Sequence, residues 1–248
     1  MFYLISAAIV LVFSGLLAMA GLGAAFLFVP FFYYLGVPLS EATAAGLFLN
    51  AISLSFASVV YWRERVVNVR MALPVLIVAV ILSPLGARVT PLVDKRVLLA
   101  LFAAFLVFAG FMMLFFKPKK RDHELGRAVE VSAGVGVGGV AGFLGGLLGV
   151  GGGNFIVPVL NWLGLDPKVA AGTTAVVVVF SSLSGFLGHV SLGGLDPVFL
   201  GLTAVMAAIG SFAGARLMTQ KLSSAQLKMI IGILLWVIAA KMILDLVH

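Results

Sequence analysis

The sequence predicts an all-α polytopic membrane protein made of two tandem repeats, and three observations carry that expectation. First, 62% of the 248 residues are apolar and only 10% are charged, against about 25% charged in an average soluble domain. No soluble fold of this size has enough interior for so much apolar surface, so lipid must cover part of it. Second, the apolar residues fall into eight runs, 2–36, 39–62, 71–89, 97–116, 131–164, 169–190, 198–218 and 226–247, and a helical span needs about 20 residues. Third, the second half repeats the first at a constant offset of 128 residues, without a gap from Gly15 to Leu99.

The repeat is carried by more than shared apolar letters. Gly21 and Gly23 fall on Gly149 and Gly151, Val29-Pro30 on Val157-Pro158, and Leu35-Gly36 on Leu163-Gly164. AVILSPLGAR (79–88) falls on AAIGSFAGAR (207–216). Residues 1–116 are therefore read as the first transmembrane repeat and 131–248 as the second. The charged stretch 117–130, with Lys117, Lys119, Lys120, Arg121 and Arg127, is the connecting loop. Internal duplication is common in secondary transporters, whose sites lie between the repeats.

Within each repeat the first run is too long for one span and is interrupted by Gly near its middle. The second pieces, residues 24–36 and 154–164, are too short for a core of about 30 Å at about 1.5 Å per residue. Each first run is thus either a re-entrant hairpin or a single pass with a bent end, followed by three spans. The basic residues favour the hairpin. With six passes and two hairpins, twelve of the sixteen Lys and Arg share one side: Arg63, Arg65, Arg70, the five loop residues, Lys168, Arg216, Lys221 and Lys228. Only Arg88, Lys95, Arg96 and Lys241 lie on the other. With eight passes the split is nine to seven. The hairpin reading gives a positive-inside pattern, a cytoplasmic central loop, both termini outside and an inverted pair of repeats. The expected location is the prokaryotic plasma (inner) membrane. The first run lacks a basic n-region and an A-x-A site, so it is read as structure and not as a signal peptide.

Candidate chemistry concentrates in GVGGGNFIVP (149–158). No soluble strand precedes it, which removes the dinucleotide reading. In a membrane, Gly149, Gly151, Gly152 and Gly153 let the helix break, and the short helix after them aims free N–H groups and its positive dipole end at the break. Asn154 adds an amide. That makes a candidate anion site without a buried cation. The first repeat keeps only Gly21 and Gly23, followed by Ala24, Ala25 and Phe26, so the second repeat is expected to supply more contacts. The series Gly134, Gly138, Gly142, Gly146 reads as a helix-packing face. Thr173, Thr174 and Ser181 on the next run, with Asn50 and Ser53 on its counterpart, can replace water around a polar solute or equally bond to neighbouring backbone. Arg88 and Arg216 are the repeated charges, read either as snorkelling residues or as gating and anion-attracting groups. His189 lies in an apolar run and is a candidate proton-coupling group.

Several classes are set aside. The net charge of +7 sits in short loops between apolar runs, which suits membrane orientation and not nucleic acid. There is no Cys, and His123 and His248 are isolated, so no metal site is expected. No nucleophile–base pair is present, so no enzyme is expected; there is no Walker motif and no cofactor is implied. The expected partners are a small anionic solute and the bilayer, with self-association left open. A passive anion channel and a non-transporting scaffold or assembly protein are the rival readings.

The stretches GVGGGNFIVPVL (149–160), LGLD (163–166), AGTT (171–174) and HVSLGGLD (189–196), with the weaker GLGAAFLFVP (21–30), resemble the TauE/SafE, or sulfite exporter-like, membrane proteins. The resemblance covers nearly the whole chain. It implies a permease of small anions, with sulfite and organosulfur compounds as frequent substrates. The reduced first glycine loop departs from the family pattern, which argues against a site needing two equivalent loops.

Overall fold

The computed structural model describes residues 2–115, 126–189 and 196–247. Central-loop residues 117–125 and the 190–195 part of the HVSLGGLD stretch lie outside the described residues. The described chain is helical throughout: α1 (Phe2–Ala18), α2 (Ala25–Tyr34), α3 (Leu39–Arg63), α4 (Val69–Val89), a 3-10 turn (Thr90–Leu92), α5 (Lys95–Phe115), α6 (Arg127–Leu148), α7 (Gly153–Trp162), α8 (Pro167–His189), α9 (Pro197–Gln220) and α10 (Ser224–Val247). Five of these, α3, α4 with its 3-10 extension, α6, α8 and α9, are each long and apolar enough to cross a bilayer.

Local chemistry sets the helix starts. The Asn68 side chain accepts a hydrogen bond from Met71 N at 3.2 Å and opens α4. Its offset partner, Asp196, accepts from Val198 N at 2.8 Å and opens α9, with Pro197 at the first helical position. Both caps satisfy amide groups that the helix cannot. Each long run breaks where expected, and the second pieces, α2 and α7, have ten residues each. At about 1.5 Å per residue each reaches about half-way through a bilayer core.

Packing shows which way each helix runs. Along α4 and α6, Pro74 lies against Gly134, Ala79 against Gly142 and Ser83 against Gly146, so the two helices are parallel. α1 and α9 are parallel too, with Leu11 against Gly210 and Gly15 against Gly214. α3 and α8 cross antiparallel at the centre, with Leu47 beside Gly185 and Asn50 bonded to Ser182. α5 and α10 pack antiparallel, with Gly110 against Trp236 and Leu114 against Gly232. The glycine face of α6 is a packing face: a methyl group on Gly142 would sit 2.5 Å from the Ala79 Cα.

These directions define two ends. At one, the Arg63 end, Val66 meets Gly172, the Asn68 N–H donates to Thr173 Oγ1 at 2.9 Å, and Lys168 Nζ donates to the Thr219 carbonyl at 3.2 Å. At the other, the Thr90 end, Thr90 Oγ1 donates to the Leu147 carbonyl at 2.9 Å, Gly188 meets Pro84 and Ala87, and Lys241 Nζ lies 4.3 Å from the centre of the Tyr34 ring. α1 runs to the Arg63 end, where Gly21 meets Ala171, and α2 returns along α3. α6 runs to the Thr90 end, where Gly149 meets Thr43, and α7 returns. Each long run therefore turns back on itself, with a first arm of 17 or 22 residues and a second of ten. Contacts recur under the 128-residue offset with the halves exchanged: Gly86 lies against Phe143 as Gly214 lies against Gly15, and Gly149 against Thr43 as Gly21 against Ala171.

Candidate functional site

The two hairpins fold back toward the middle of the α3/α8 crossing, and their returning strands of backbone touch there. Gly149, at φ 69°, ends α6 in the left-handed conformation, and Gly151 and Gly152 keep positive φ before α7 begins. The left-handed region costs an L-residue about 1–2 kcal/mol, which glycine avoids. Gly153 opens α7 against the first hairpin: a methyl group there would lie 2.5 Å from the Leu22 carbonyl oxygen. The glycines of 149–153 thus serve two physical needs, reversing the chain and letting two backbones meet.

Asn50 binds the two breaks together. It is fully buried on α3. Its Oδ1 accepts from the Ala25 N–H at 3.4 Å, the first amide of α2, and its Nδ2 donates to Ser182 Oγ at 2.8 Å. A side chain on Gly23 would overlap the Asn50 amide, and a methyl on Gly151 would lie 2.7 Å from Asn50 Nδ2. Ser181 Oγ, one residue along α8, donates to the Gly151 carbonyl at 2.8 Å. Asn50 and Ser181 therefore hold the breaks in shape.

Four predicted residues keep unused polarity: Asn154, Ser53 and Thr174, and His189 at the Thr90 end. Asn154, on the first turn of α7, is 1% exposed, and neither Oδ1 nor Nδ2 has a hydrogen-bond partner among the described residues. Pro158, four residues on, has no N–H for the Asn154 carbonyl to accept from. Ser53 Oγ, one turn from Asn50 on α3, and Thr174 Oγ1 on α8 are likewise buried without partners. A buried polar group left unpaired costs about 1–3 kcal/mol. Nearly all such groups in folded proteins find partners, so unused polarity of this kind is capacity for a further polar contact.

Other predicted residues lie elsewhere. Thr173 is occupied at the Arg63 end, accepting from Asn68 N. Arg88 is exposed in the last turn of α4 and Arg216 is exposed one turn before the end of α9, at opposite ends of the molecule. The Arg216 guanidinium stacks 4.5 Å above the Phe212 ring. His189 ends α8 at the Thr90 end, and its buried Nε2 has no partner. Its offset counterpart Tyr61 instead donates from its hydroxyl to the Ala18 carbonyl at the first hairpin's tip. Ser182, one of the polar residues of the α8 run, and the Glu41 Oε2 near the start of α3 are further buried polar groups. Ser182 falls on Leu54 in the repeat, so the offset gives no signal for it, although it stands in the polar run SSLS (181–184). Glu41 Oε2 is buried and unpartnered in the first turn of α3, where an acid beside a helix start looks like ordinary dipole pairing.

Comparison with known proteins accords with this architecture. The family model described as "Sulfite exporter TauE/SafE" matches residues 6–242. "Probable membrane transporter protein YunE" of Bacillus subtilis is 32% identical over 47% of this chain and 42% of its own. The chain thus matches less than half the length of that relative. A "Probable membrane transporter protein" of Haemophilus influenzae is 27% identical over 93% of this chain and 94% of its own. "Sulfite exporter TauE/SafE family protein 2" of Arabidopsis thaliana is 35% identical over 31% of this chain and 17% of its own. No solved structure matches. With a family match across nearly its whole length and helices fit to cross a bilayer, this integral membrane protein belongs to the sulfite exporter TauE/SafE family.

Proposed function

We propose that the chain is a secondary transporter of a small anion, a sulfur oxyanion such as sulfite or an organic sulfonate or carboxylate. The observation that carries this reading is Asn154: a buried amide with no partner, at the N-terminal end of a half-length helix. Helix N-termini attract negative charge through free N–H groups and the dipole. A solute held there replaces its hydration shell with Nδ2, hydroxyl and backbone donors. The names of the relatives point to the same class of work.

Residues 1–116 and 131–248 act in this proposal as two inverted repeats in the plasma membrane, with the Arg63 end and the central loop cytoplasmic. Arg63, Arg65, Arg70, Arg127, Lys168, Arg216 and Lys221 at that end, against Arg88, Arg96 and Lys241 at the other, support the orientation. Contact between the breaks favours a carrier over a standing channel, because a solute can lie between Leu22 and Gly153 only after they part. Rocking of one hairpin against the other then alternates access.

The test is a thermal-shift screen of the purified protein against sulfite, thiosulfate, sulfate, alkyl sulfonates and short carboxylates. One anion class is expected to raise the unfolding midpoint, and Asn154→Leu to abolish that rise. Stabilisation by a cation alone, with every anion inert, would sink the anion site.

A further inference from the structure

The two hairpin turns have the same backbone. Gly21 and Gly149 stand at φ 67° and 69°, Gly23 and Gly151 at 73° and 71°. The Gly21 N–H donates to the Ala18 carbonyl at 2.9 Å, and the Gly149 N–H to the equivalent Gly146 carbonyl at 3.3 Å. The side-chain bonds that secure these turns differ between the halves, and in opposite senses. Near the middle of α8, Ser181 Oγ donates to the Gly151 carbonyl at 2.8 Å, and the Ser181 carbonyl accepts from Ser83 Oγ of α4 at 2.9 Å. At the offset positions neither bond has its counterpart: Ser53 Oγ is buried without a partner, and Ser211 Oγ donates back to the Ala207 carbonyl of its own helix. Toward the ends of α3 and α8 the order reverses. The Tyr61 hydroxyl donates to the Ala18 carbonyl, whereas the equivalent His189 Nε2 is buried without a partner. Ser53 and Ser181 are the same residue type, as are Ser83 and Ser211. Identical side chains in different bonding states mark two halves in different conformations.

We propose that Ser53, Tyr61, Ser181 and His189 are alternating anchors: each hairpin turn is held at one of two points, and the halves exchange points when the carrier changes the side it faces. This rests on the reading of the chain as a carrier of two inverted repeats. A two-fold axis in the membrane plane relates such repeats, so exchanging their shapes exchanges the open side. In the other state Ser53 Oγ donates to the Gly23 carbonyl, Ser211 Oγ to the Ser53 carbonyl and His189 Nε2–H to the Gly146 carbonyl, while Tyr61, Ser181 and Ser83 let go. The Gly146 carbonyl has the capacity: it takes one bond from the Gly149 N–H and keeps a second lone pair, the one that Tyr61 uses on Ala18. An imidazole is shorter than a phenol, so His189 closes only when α8 and its turn draw together. Ser53 and Tyr61 lie about 12 Å apart along α3, so tilting the turn makes one bond and breaks the other. Three side-chain bonds are exchanged for three, which keeps the two states close in free energy. Tyr61 stands at the Arg63 end and His189 at the Thr90 end, so the present state is anchored shut at the Arg63 end and the other at the Thr90 end.

The full-length protein is reconstituted in lipid vesicles of one orientation without added solute, so failure of the anion site does not touch the result. Met19→Cys and Leu147→Cys are the two reporters, made separately. They are equivalent buried residues just past the Ala18 and Gly146 acceptors, both side chains shrink, and the chain has no other Cys. A membrane-impermeant maleimide is added from each side. The readout is the Met19→Cys labelling rate from the Arg63 side divided by the Leu147→Cys rate from the Thr90 side. Tyr61→Phe and Ser181→Ala weaken the present state and are expected to raise this ratio about fivefold, the weight of one hydrogen bond. Ser53→Ala and His189→Ala weaken the other state and lower it by as much. The same Ser→Ala change at two equivalent positions thus acts in opposite directions. Simple loosening of each turn predicts otherwise, because Ser181→Ala would then speed the nearby Leu147→Cys and lower the ratio. A ratio lowered by Ser181→Ala, or unmoved by Ser53→Ala and His189→Ala, overturns the anchors while the inverted repeats stand. Labelling of both reporters from one side overturns the inverted repeats and the anchors with them.

Discussion

Asn154 and Asn50 are the same residue type in the same buried region, and their substitutions are expected to part ways. Asn50 uses both ends of its amide. Asn50→Ala leaves the Ala25 N–H and the Ser182 hydroxyl without partners, at about 1–3 kcal/mol for each buried group left unpaired. A lowered midpoint in thermal unfolding, clearly larger than that of Ser182→Ala, is the expected result. Asn154→Leu removes an amide that has no partner, so the unliganded protein stays as stable or gains about 1 kcal/mol, while the solute-dependent shift disappears. A fall in stability comparable to that of Asn50→Ala would show Asn154 to be structural. Both positions were legible as polar residues in apolar runs. Which one was already satisfied was not, because that depends on partners 25 and 132 residues away. Thr173 shows the same limit: as a sequence feature it matches Thr174, yet one hydroxyl is engaged by the α3–α4 turn and the other is not.

At the level of elements, glycine has two opposite meanings along α6 and its hairpin. Gly136 has nothing within 4 Å of an added methyl group, and Gly142 lies against Ala79. Gly136→Ala is expected to stabilise the helix by about 0.5–1 kcal/mol. Gly142→Ala forces α4 and α6 apart and lowers the midpoint. Gly149→Ala adds a left-handed strain of about 1–2 kcal/mol to a clash with Thr43. Unfolding midpoints of the three variants measured side by side check the order. The four-residue spacing of Gly134 to Gly146 was readable as a packing face, since small residues at that period allow close approach. α4 answers it with small residues at the same spacing, Ala79, Ser83 and Ala87, but similar spacings occur on other runs, so the pairing of α4 with α6 was not readable. The hairpin arms were legible as broken runs. Their unequal lengths were legible too, since residues 24–36 and 154–164 are too short to span; that the break at Gly149 lies near the depth of the final turn of α4 was not.

At the scale of the whole molecule, the hairpin arrangement makes a prediction that an eight-pass arrangement reverses. Tyr34 and Trp162 occupy equivalent positions in the two halves, and both are more than half exposed. The chain contains no Cys, so single cysteines at these two sites can be labelled without background. Tyr34→Cys and Trp162→Cys are expected to react from opposite sides of the membrane; labelling from the same side would remove the inverted arrangement. The offset of 128 residues and the uneven distribution of basic residues are both written along the chain, and the labelling tests the arrangement they suggest. The exchange of partners between the halves is not written along the chain; it arises from helices of one half packing on those of the other. Asn50 breaks the equivalence of the halves, since the residue at its offset position is Val178. A carrier with interchangeable halves would face either side of the membrane with equal probability at rest. In the proposed carrier the first loop is held by the Asn50 amide and the second by the Ser181 hydroxyl on the Gly151 carbonyl, so the two loops are secured by different chemistry. A difference of about 1 kcal/mol between those two kinds of bond would be enough for a several-fold excess of one orientation of the proposed carrier.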